Sequence, residues 1–97
     1  MADIKLELDQ KKHGAFNLYE NDRKIGEMVV SISSDTLTVY HTEVAEEFAG
    51  KGYAKQLLDE MTAYVREHNY TVRPLCPYVF AQFKRHPDEY ESIWKKE

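Results

Sequence analysis

The residues best suited to chemistry are two glycines, Gly50 and Gly52, which stand directly before a helical pattern. Glycine lets backbone N–H groups turn toward a ligand, and the N-terminus of a helix carries partial positive charge. Such a loop can bind a phosphate or pyrophosphate, and Lys51 and Lys55 add positive charge at its rim. The same glycines are equally compatible with a simple tight turn. The loop lacks a Walker A ending and the third glycine of a dinucleotide fingerprint, which disfavours nucleotide hydrolysis and dinucleotide binding.

The single cysteine, Cys76, stands between Pro74 and Pro77. Proline has no N–H to donate to a neighbouring strand, so strand pairing is expected to end near Pro74. Pro77 suits the first position of a helix, which makes Cys76 the N-cap and favours the reactive thiolate through the helix dipole. The alternative is a buried structural cysteine, which is the commonest environment of a free cysteine.

His41 has the same strand parity as Leu37 and Val39, which predicts that its side chain faces the same side as theirs. A histidine on an apolar face is usually structural. Parallel pairing of a fourth and a fifth strand would nevertheless bring the ends that carry His41 and Cys76 close together. A neutral imidazole there can accept a proton from an amine or from the thiol.

Length and composition restrict the function. The chain has 97 residues, which we interpret as a single domain over residues 1–97. The formal charge of −4 argues against nucleic acid as the main partner, because nucleic-acid binders carry a basic surface. One cysteine excludes an internal disulfide and a thiolate-rich zinc site, and no His, Asp or Glu cluster has metal-ligand spacing.

The longest apolar runs are three or four residues, whereas a membrane span needs roughly 20. The first residues lack the basic and apolar regions of a signal peptide. We therefore expect a cytoplasmic protein that does not enter a membrane.

The first half of the chain alternates apolar and polar residues. This period predicts four strands, at residues 4–8, 15–20, 25–32 and 36–44, and the short turns between them favour an antiparallel meander. An apolar stripe with helical spacing follows, and Asn69 is a suitable C-cap. The stripe consists of Ala54, Leu57, Leu58, Met61 and Val65.

The last third of the chain predicts a strand and two helices. Residues 70–76 form a fifth strand, which a crossover helix would place parallel to the fourth. One helix spans residues 77–85, and another begins at Pro87 and ends at Lys95 and Lys96. The fold class is α+β, with a four-stranded antiparallel meander, a helix, a fifth strand parallel to the fourth, and C-terminal helices.

The loop that contains Gly50 and Gly52, here called the glycine loop, resembles that of a known family. Residues 44–54 resemble the acetyl-CoA loop of the GNAT superfamily of N-acetyltransferases, whose pattern is Gln or Arg, two residues, Gly, one residue, and Gly or Ala. Gly50 and Gly52 match the pattern, and Glu47 stands where Gln or Arg is expected. Four motifs in the same order resemble the compact single-domain GNAT-like proteins: His41-Thr42-Glu43-Val44, Gly50-Lys51-Gly52, Pro74-Leu75-Cys76-Pro77-Tyr78-Val79, and Arg85-His86-Pro87 with Tyr90.

The resemblance implies a minimal GNAT fold and an acetyl-CoA-dependent N-acetyltransferase. Acetyl-CoA would bind where the fourth and fifth strands diverge, and His41 and Cys76 would be the catalytic pair. A carboxylate at Glu47 would repel the phosphates unless it points away. The implied cofactor-binding residues are Glu43, Val44, Gly50, Lys51, Gly52, Tyr53, Ala54, Lys55, Tyr78, Phe83 and Lys84.

Several alternatives stay open at this stage. The acetyl group would pass either directly to the amine, with His41 as base, or through an acetyl-Cys76 intermediate; GNAT-like enzymes generally form a ternary complex, which favours the direct route. The acceptor is an amine of unknown identity, on a small molecule or a protein lysine. The other class of function is a non-catalytic CoA-binding or interaction module. We expect a monomer or a weak homodimer that pairs through an exposed edge strand.

Overall fold

The computed structural model describes residues 2–96, which form one five-stranded sheet with helices packed against it. The strand order is β1-β2-β3-β4-β5. Strands β1 to β4 pair with one another in antiparallel fashion, and β5 pairs with β4 in parallel. The predicted fold class is confirmed. The strands are β1 (Asp3–Leu8), β2 (His13–Glu20), β3 (Arg23–Ser33), β4 (Thr36–Val44) and β5 (Thr71–Pro74).

Strands β2 and β3 each begin two residues earlier than predicted. Strand β2 starts at His13 because His13 and Gly14 already pair with Ser31 and Val30. Strand β3 starts at Arg23 because a tight turn lets its pairing with β2 run to the hairpin end. Asn21 and Asp22 form this two-residue turn with φ values of 52° and 66°. Asn and Asp tolerate this left-handed conformation, and such turns match the twist of paired strands. Pairing therefore extends to Glu20 opposite Arg23.

The main helix, α1 (Tyr53–His68), carries the crossover from β4 to β5. It ends as predicted at Asn69, whose φ of 58° gives a left-handed C-cap. A 3-10 turn (Glu46–Phe48) precedes it in the loop, and two helices follow β5: α2 (Pro77–Arg85) and α3 (Pro87–Tyr90). Apolar side chains of α1 and α2 pack on one face of the sheet, which we call the inner face; it carries Phe16, Leu18, Met28, Val30, Leu37 and Val39.

The prediction of one continuous helix from Pro87 to Lys96 is wrong. The α-helix ends at Tyr90, and a 3-10 turn (Glu91–Ile93) follows it. The chain then extends, so that the Lys95 N–H donates to the Val72 carbonyl at 2.8 Å. This path places the Trp94 ring 5.8 Å from the ring of Phe83, where it covers the core and protects part of the edge of β5.

Candidate functional site

The two parallel strands diverge where proline ends their pairing. The last paired residues are Val39 and Pro74, so β5 is shorter than the predicted segment 70–76. The N–H groups of Leu75 and Cys76 both donate to the Val39 carbonyl, at 3.0 and 2.9 Å. Strand β4 continues for five more residues to Val44. On the side toward β5, no strand among residues 2–96 pairs with that extension.

A β-bulge in β4 reverses which side chains face inward beyond this point. Val30 lies opposite Val39, but Val29 lies opposite His41, so Tyr40 is an extra residue. Cross-strand partners share a face. His41, opposite the outward-facing Val29, therefore lies on the outer face, and the prediction that it shares the face of Val39 is wrong. One inserted residue shifts the alternation by one position for the rest of the strand.

The bulge determines which residues of β4 line a cavity of about 400 Å³. Thr42 and Val44 turn inward and line it, whereas Glu43 lies outward opposite Glu27. The cavity lies between the free end of β4, the glycine loop, the start of α1 and the start of α2. Its remaining lining residues are Phe48, Ala49, Gly50, Gly52, Tyr53, Ala54, Lys55 and Tyr78.

The glycine loop presents an uncapped helix end to the cavity. Gly50 and Gly52 have φ values of 80° and 83°, a conformation that L side chains rarely adopt. Gly52 is the N-cap of α1, and no side chain among residues 2–96 caps the helix there. The first N–H groups of a helix have no partner within the helix. A Cβ built on either glycine meets only open space within 4 Å, so a ligand can approach the backbone.

Cys76 is the N-cap of α2, as predicted, and its side chain is only 2% exposed. Its Sγ lies 3.3 Å from Thr42 Oγ1, and one of the two groups donates to the other. Thr42 lines the cavity and Cys76 does not. The thiol is therefore placed behind Thr42 and is less accessible to a ligand than the sequence suggests.

His41 is far more accessible than Cys76. Its side chain is 57% exposed, and its Nε2 lies 3.3 Å from Glu43 Oε1. No hydrogen bond joins His41 to Cys76 within the part of the chain that the structure describes. The divergence of β4 and β5 brings the two residues to the same end of the sheet, but the bulge leaves them on opposite faces.

Polar contacts hold the helix end that faces the cavity. The Tyr53 hydroxyl donates to Glu20 Oε2 at 2.8 Å, and this bond raises the pKa of Tyr53. Lys55 Nζ donates to Asp59 Oδ1 at 2.8 Å, which raises the pKa of Lys55 and keeps it a cation. Burial raises the pKa of Tyr78, so its hydroxyl keeps its proton at neutral pH and can donate to a group in the cavity.

Glu47 does not line the cavity. Its carboxylate pairs with the Arg23 guanidinium, with Oε1 2.9 Å from Nη2. The pair is exposed on both sides, so it adds little to stability, but it removes the repulsion expected from an isolated carboxylate beside an anion. Neighbouring Phe48 does line the cavity, and Lys51 lies against its ring rather than on the lining.

Phe83 and Lys84 do not reach the cavity. Phe83 is fully buried and stacks on Tyr90, with ring centroids 4.7 Å apart. The Lys84 ammonium lies 5.7 Å from the Phe80 ring, on the exposed side of α2. Of the predicted residues in this helix, the structure places only Tyr78 on the cavity.

Three cavity residues were not singled out from the sequence. Thr42 lies within the quoted His-Thr-Glu-Val motif, but regular alternation assigns it to the outer face. Phe48 and Ala49 lie in the quoted loop, where no periodicity indicates direction. A single aromatic residue between acidic residues and glycines was the only available signal for Phe48.

Within residues 2–96, no three His, Cys, Asp or Glu side chains are grouped so that they could hold a metal ion. None of the helices over the same residues has the length and apolar character needed to span a bilayer.

Comparison with protein-family models gives one match: the model of GCN5-related N-acetyltransferases covers residues 15–93. The chain belongs to this family. The match includes most of β2, the strands β3 to β5 and the helices described above, and so the whole cavity lining. No curated protein sequence matches the chain.

Solved structures of acetyltransferases share the fold. A GCN5-like protein from Staphylococcus aureus superposes with a TM-score of 0.68 at 19% identity, over 98% of this chain and 89% of that one. A ribosomal-protein-alanine N-acetyltransferase from Brucella melitensis gives 0.64 at 20% identity, over 92% of this chain and 65% of that one. A GNAT acetyltransferase from Elizabethkingia anophelis with acetyl-CoA bound gives 0.60 at 18% identity, over 80% and 53%. This chain thus spans about half to two thirds of the length of the last two proteins.

Proposed function

We propose that the protein is an acetyl-CoA-dependent N-acetyltransferase that acetylates an amine. The proposal depends on one observation, which is that two features meet at one cavity. The first is the N-terminus of α1, which no side chain among residues 2–96 caps, and the second is the edge of β4 beyond Val39, with which no strand of the same residues pairs on the side toward β5. The first feature suits an anion and the second suits a chain of amides. Acetyl-CoA contains both, as a pyrophosphate linked to pantetheine.

The residues present fit this ligand. The backbone N–H groups at the start of α1, from Tyr53 to Lys55, would hold the pyrophosphate, since anions bind helix N-termini without side-chain help. The free edge of β4 near Thr42 and Val44 would hydrogen-bond the pantetheine amides as a missing strand would. The relative from Elizabethkingia anophelis binds acetyl-CoA, which supports this assignment by analogy of fold.

The bulge places the proposed acetyl-CoA cavity and His41 on opposite faces of the sheet. The inner face holds the cavity, and His41 lies on the outer face, open to solvent. An amine approaching from the outer face would meet the imidazole before it reached the thioester. In the proposed step the amine nitrogen bonds to the acetyl carbon, the carbon–sulfur bond breaks so that CoA leaves as its thiolate, and His41 accepts the proton that the amine loses. Glu43, 3.3 Å from His41 Nε2, would hold the ring in place.

The placement of Cys76 supports direct transfer. An acetyl-Cys76 intermediate requires the sulfur to reach the thioester, but Sγ is buried behind Thr42. The exposed His41 side chain need only meet an amine that arrives from solvent. We therefore assign His41 as the base, and Cys76 as the residue that holds Thr42 at the cavity wall.

The test begins with calorimetric titration of the protein with acetyl-CoA, with ATP as the phosphate control. Saturable one-to-one binding of acetyl-CoA and none of ATP is expected. A panel of polyamines, peptide amines and lysine peptides then serves to find turnover. His41→Ala should lower turnover at least about 100-fold and leave acetyl-CoA affinity unchanged. His13→Ala, at the far end of β2, is the matched control and should retain activity.

Two results would overturn the proposal. Binding of acetyl-CoA without turnover for any acceptor would favour a CoA-binding module over an enzyme. Failure of the folded wild-type protein to bind acetyl-CoA would exclude both.

A further inference from the structure

The loop end of the cavity carries an aromatic ring with two cations beside it. Phe48 is half-buried and lines the cavity. The Arg23 guanidinium carbon lies 5.9 Å from the centroid of its ring, and the Lys51 ammonium lies 5.6 Å from it. The edge of Tyr53 packs on the same ring at 6.0 Å, which fixes its position between the loop and α1.

The two cations differ in how they are held. Glu47 engages Nη1 and Nη2 of Arg23, at 3.4 and 2.9 Å, which fixes the guanidinium in place. A guanidinium has five N–H donors, so donors remain for another anion. Lys51 is exposed in the loop, between the two glycines, and its position allows its ammonium to move toward a ligand at the rim.

Acetyl-CoA is large enough to extend from the cavity to the cluster of Phe48, Arg23 and Lys51. Drug-sized ligands fill pockets of roughly 300–1,000 Å³, and acetyl-CoA is larger than most of them. A cavity of about 400 Å³ accommodates only part of it. With the acetyl group toward Thr42 and the pyrophosphate on α1, the adenosine 3′-phosphate end must leave the cavity over the glycine loop, where Phe48 lies.

We propose that Phe48, Arg23 and Lys51 form a subsite for the 3′-phosphoadenosine end of the cofactor. The proposal rests on the proposed function and goes beyond it by assigning discrimination among CoA forms. The purine packs on the Phe48 ring, as bases stack on aromatic side chains in general. The 3′-phosphate lies between the guanidinium, which donates from the N–H groups that Glu47 does not engage, and the Lys51 ammonium, which supplies the net positive charge.

The test is calorimetric affinity for acetyl-CoA and for acetyl-3′-dephospho-CoA, which lacks only the 3′-phosphate. The wild type should bind acetyl-CoA about tenfold more tightly than the dephospho form, and the ratio should fall with added salt. Lys51→Gln and Arg23→Gln should each reduce the ratio toward one. Phe48→Ala should weaken both forms about tenfold while keeping the ratio.

Two matched controls come from the same molecule. Lys24→Gln removes one positive charge next to Arg23, on a side chain that pairs with Glu27, and should keep the ratio. Phe80→Ala removes another exposed aromatic residue that has a lysine beside it, and should keep both affinities. Equal wild-type affinities for the two CoA forms would overturn the subsite alone and leave the proposed function standing. Absence of binding to either form would overturn both.

Discussion

Thr42 Oγ1 lies 3.3 Å from Cys76 Sγ, a contact between the free end of β4 and the first turn of α2. The contact exists because the bulge at Tyr40 turns Thr42 inward. Thr42 thus forms cavity wall on one side and covers the thiol on the other. Thr42 lies on β4 beyond the point of divergence, and Cys76 lies just after β5, so the contact joins the two chain segments that diverge there.

The Thr42–Cys76 contact predicts how Cys76 variants behave. Cys76→Ser keeps a small polar group opposite Thr42, so we expect turnover within about tenfold of the wild type and intact acetyl-CoA binding. Cys76→Ala removes the partner of Thr42 and should be the more damaging change. Mass spectrometry of the wild type after incubation with acetyl-CoA alone should show no acetyl group on Cys76. An adduct together with an inactive Cys76→Ser variant would instead establish the acetyl-cysteine route.

Gly52→Ala should reduce both stability and affinity. An alanine at φ 83° is strained by about 1–2 kcal/mol, and its methyl group would enter the open space through which a ligand reaches α1. Ala63→Gly, at an exposed position in the middle of α1, is the matched control, because it also costs about 1 kcal/mol but lies off the cavity lining. Urea unfolding and calorimetry should show similar stability losses in the two variants and weaker acetyl-CoA binding only in Gly52→Ala.

Phe83→Leu separates core packing from ligand binding. Phe83 is fully buried and stacked on Tyr90, so loss of the ring should lower the free energy of unfolding by about 1–2 kcal/mol. Acetyl-CoA affinity should not change, because Phe83 does not line the cavity. Tyr78→Ala, on the same helix, should show the opposite pattern, with affinity falling more than stability. A large loss of affinity in Phe83→Leu would restore the sequence-based assignment of this residue.

The network on the outer face predicts a stability change in acid. Hydrogen bonds from Tyr19 and Asn17 lower the pKa of Glu7 below its ordinary value of 4.5. A lowered carboxyl pKa contributes stability above the unfolded value, and that contribution is lost as the pH falls through the folded value. The stability advantage of the wild type over Glu7→Gln should therefore shrink below about pH 4.5. Denaturant unfolding across pH 3 to 7 measures it, with Glu60→Gln on α1 as the charge control; an advantage that is independent of pH would contradict the assignment.

The fold was predictable because local patterns decide most of it. The alternation of β1 to β4, the stripe of α1 and the left-handed cap at Asn69 each depend on a few neighbouring residues. Pro74 marks the end of strand pairing for a reason visible in its covalent structure. The C-terminal segment was not predictable, since Lys95 finds its partner on Val72, a contact that no local pattern contains.

The sequence predicted the loop part of the site, but it did not predict which side chains of β4 face the cavity after the bulge at Tyr40. Gly50 and Gly52 were found because only glycine adopts their positive φ values readily, so the residue type itself indicates the conformation. His41 was assigned to the wrong face because a bulge arises from the pairing of two strands, here β3 and β4, and the sequence of neither strand shows it alone. The Arg23–Glu47 pair likewise joins residues 24 positions apart, and only the folded chain shows it.

The edge of β4 that faces away from β3 beyond Val39 also has a consequence for the protein without a ligand. An exposed strand edge is a template on which another chain can add. If acetyl-CoA supplies the missing hydrogen bonds there, the cofactor completes the sheet, and the free protein is the form prone to edge-to-edge self-association. The colloidal stability of the protein and the amide exchange of residues 40–44 would then change with the concentration of acetyl-CoA. Self-association during storage would therefore report on occupancy of the cavity, as turnover does.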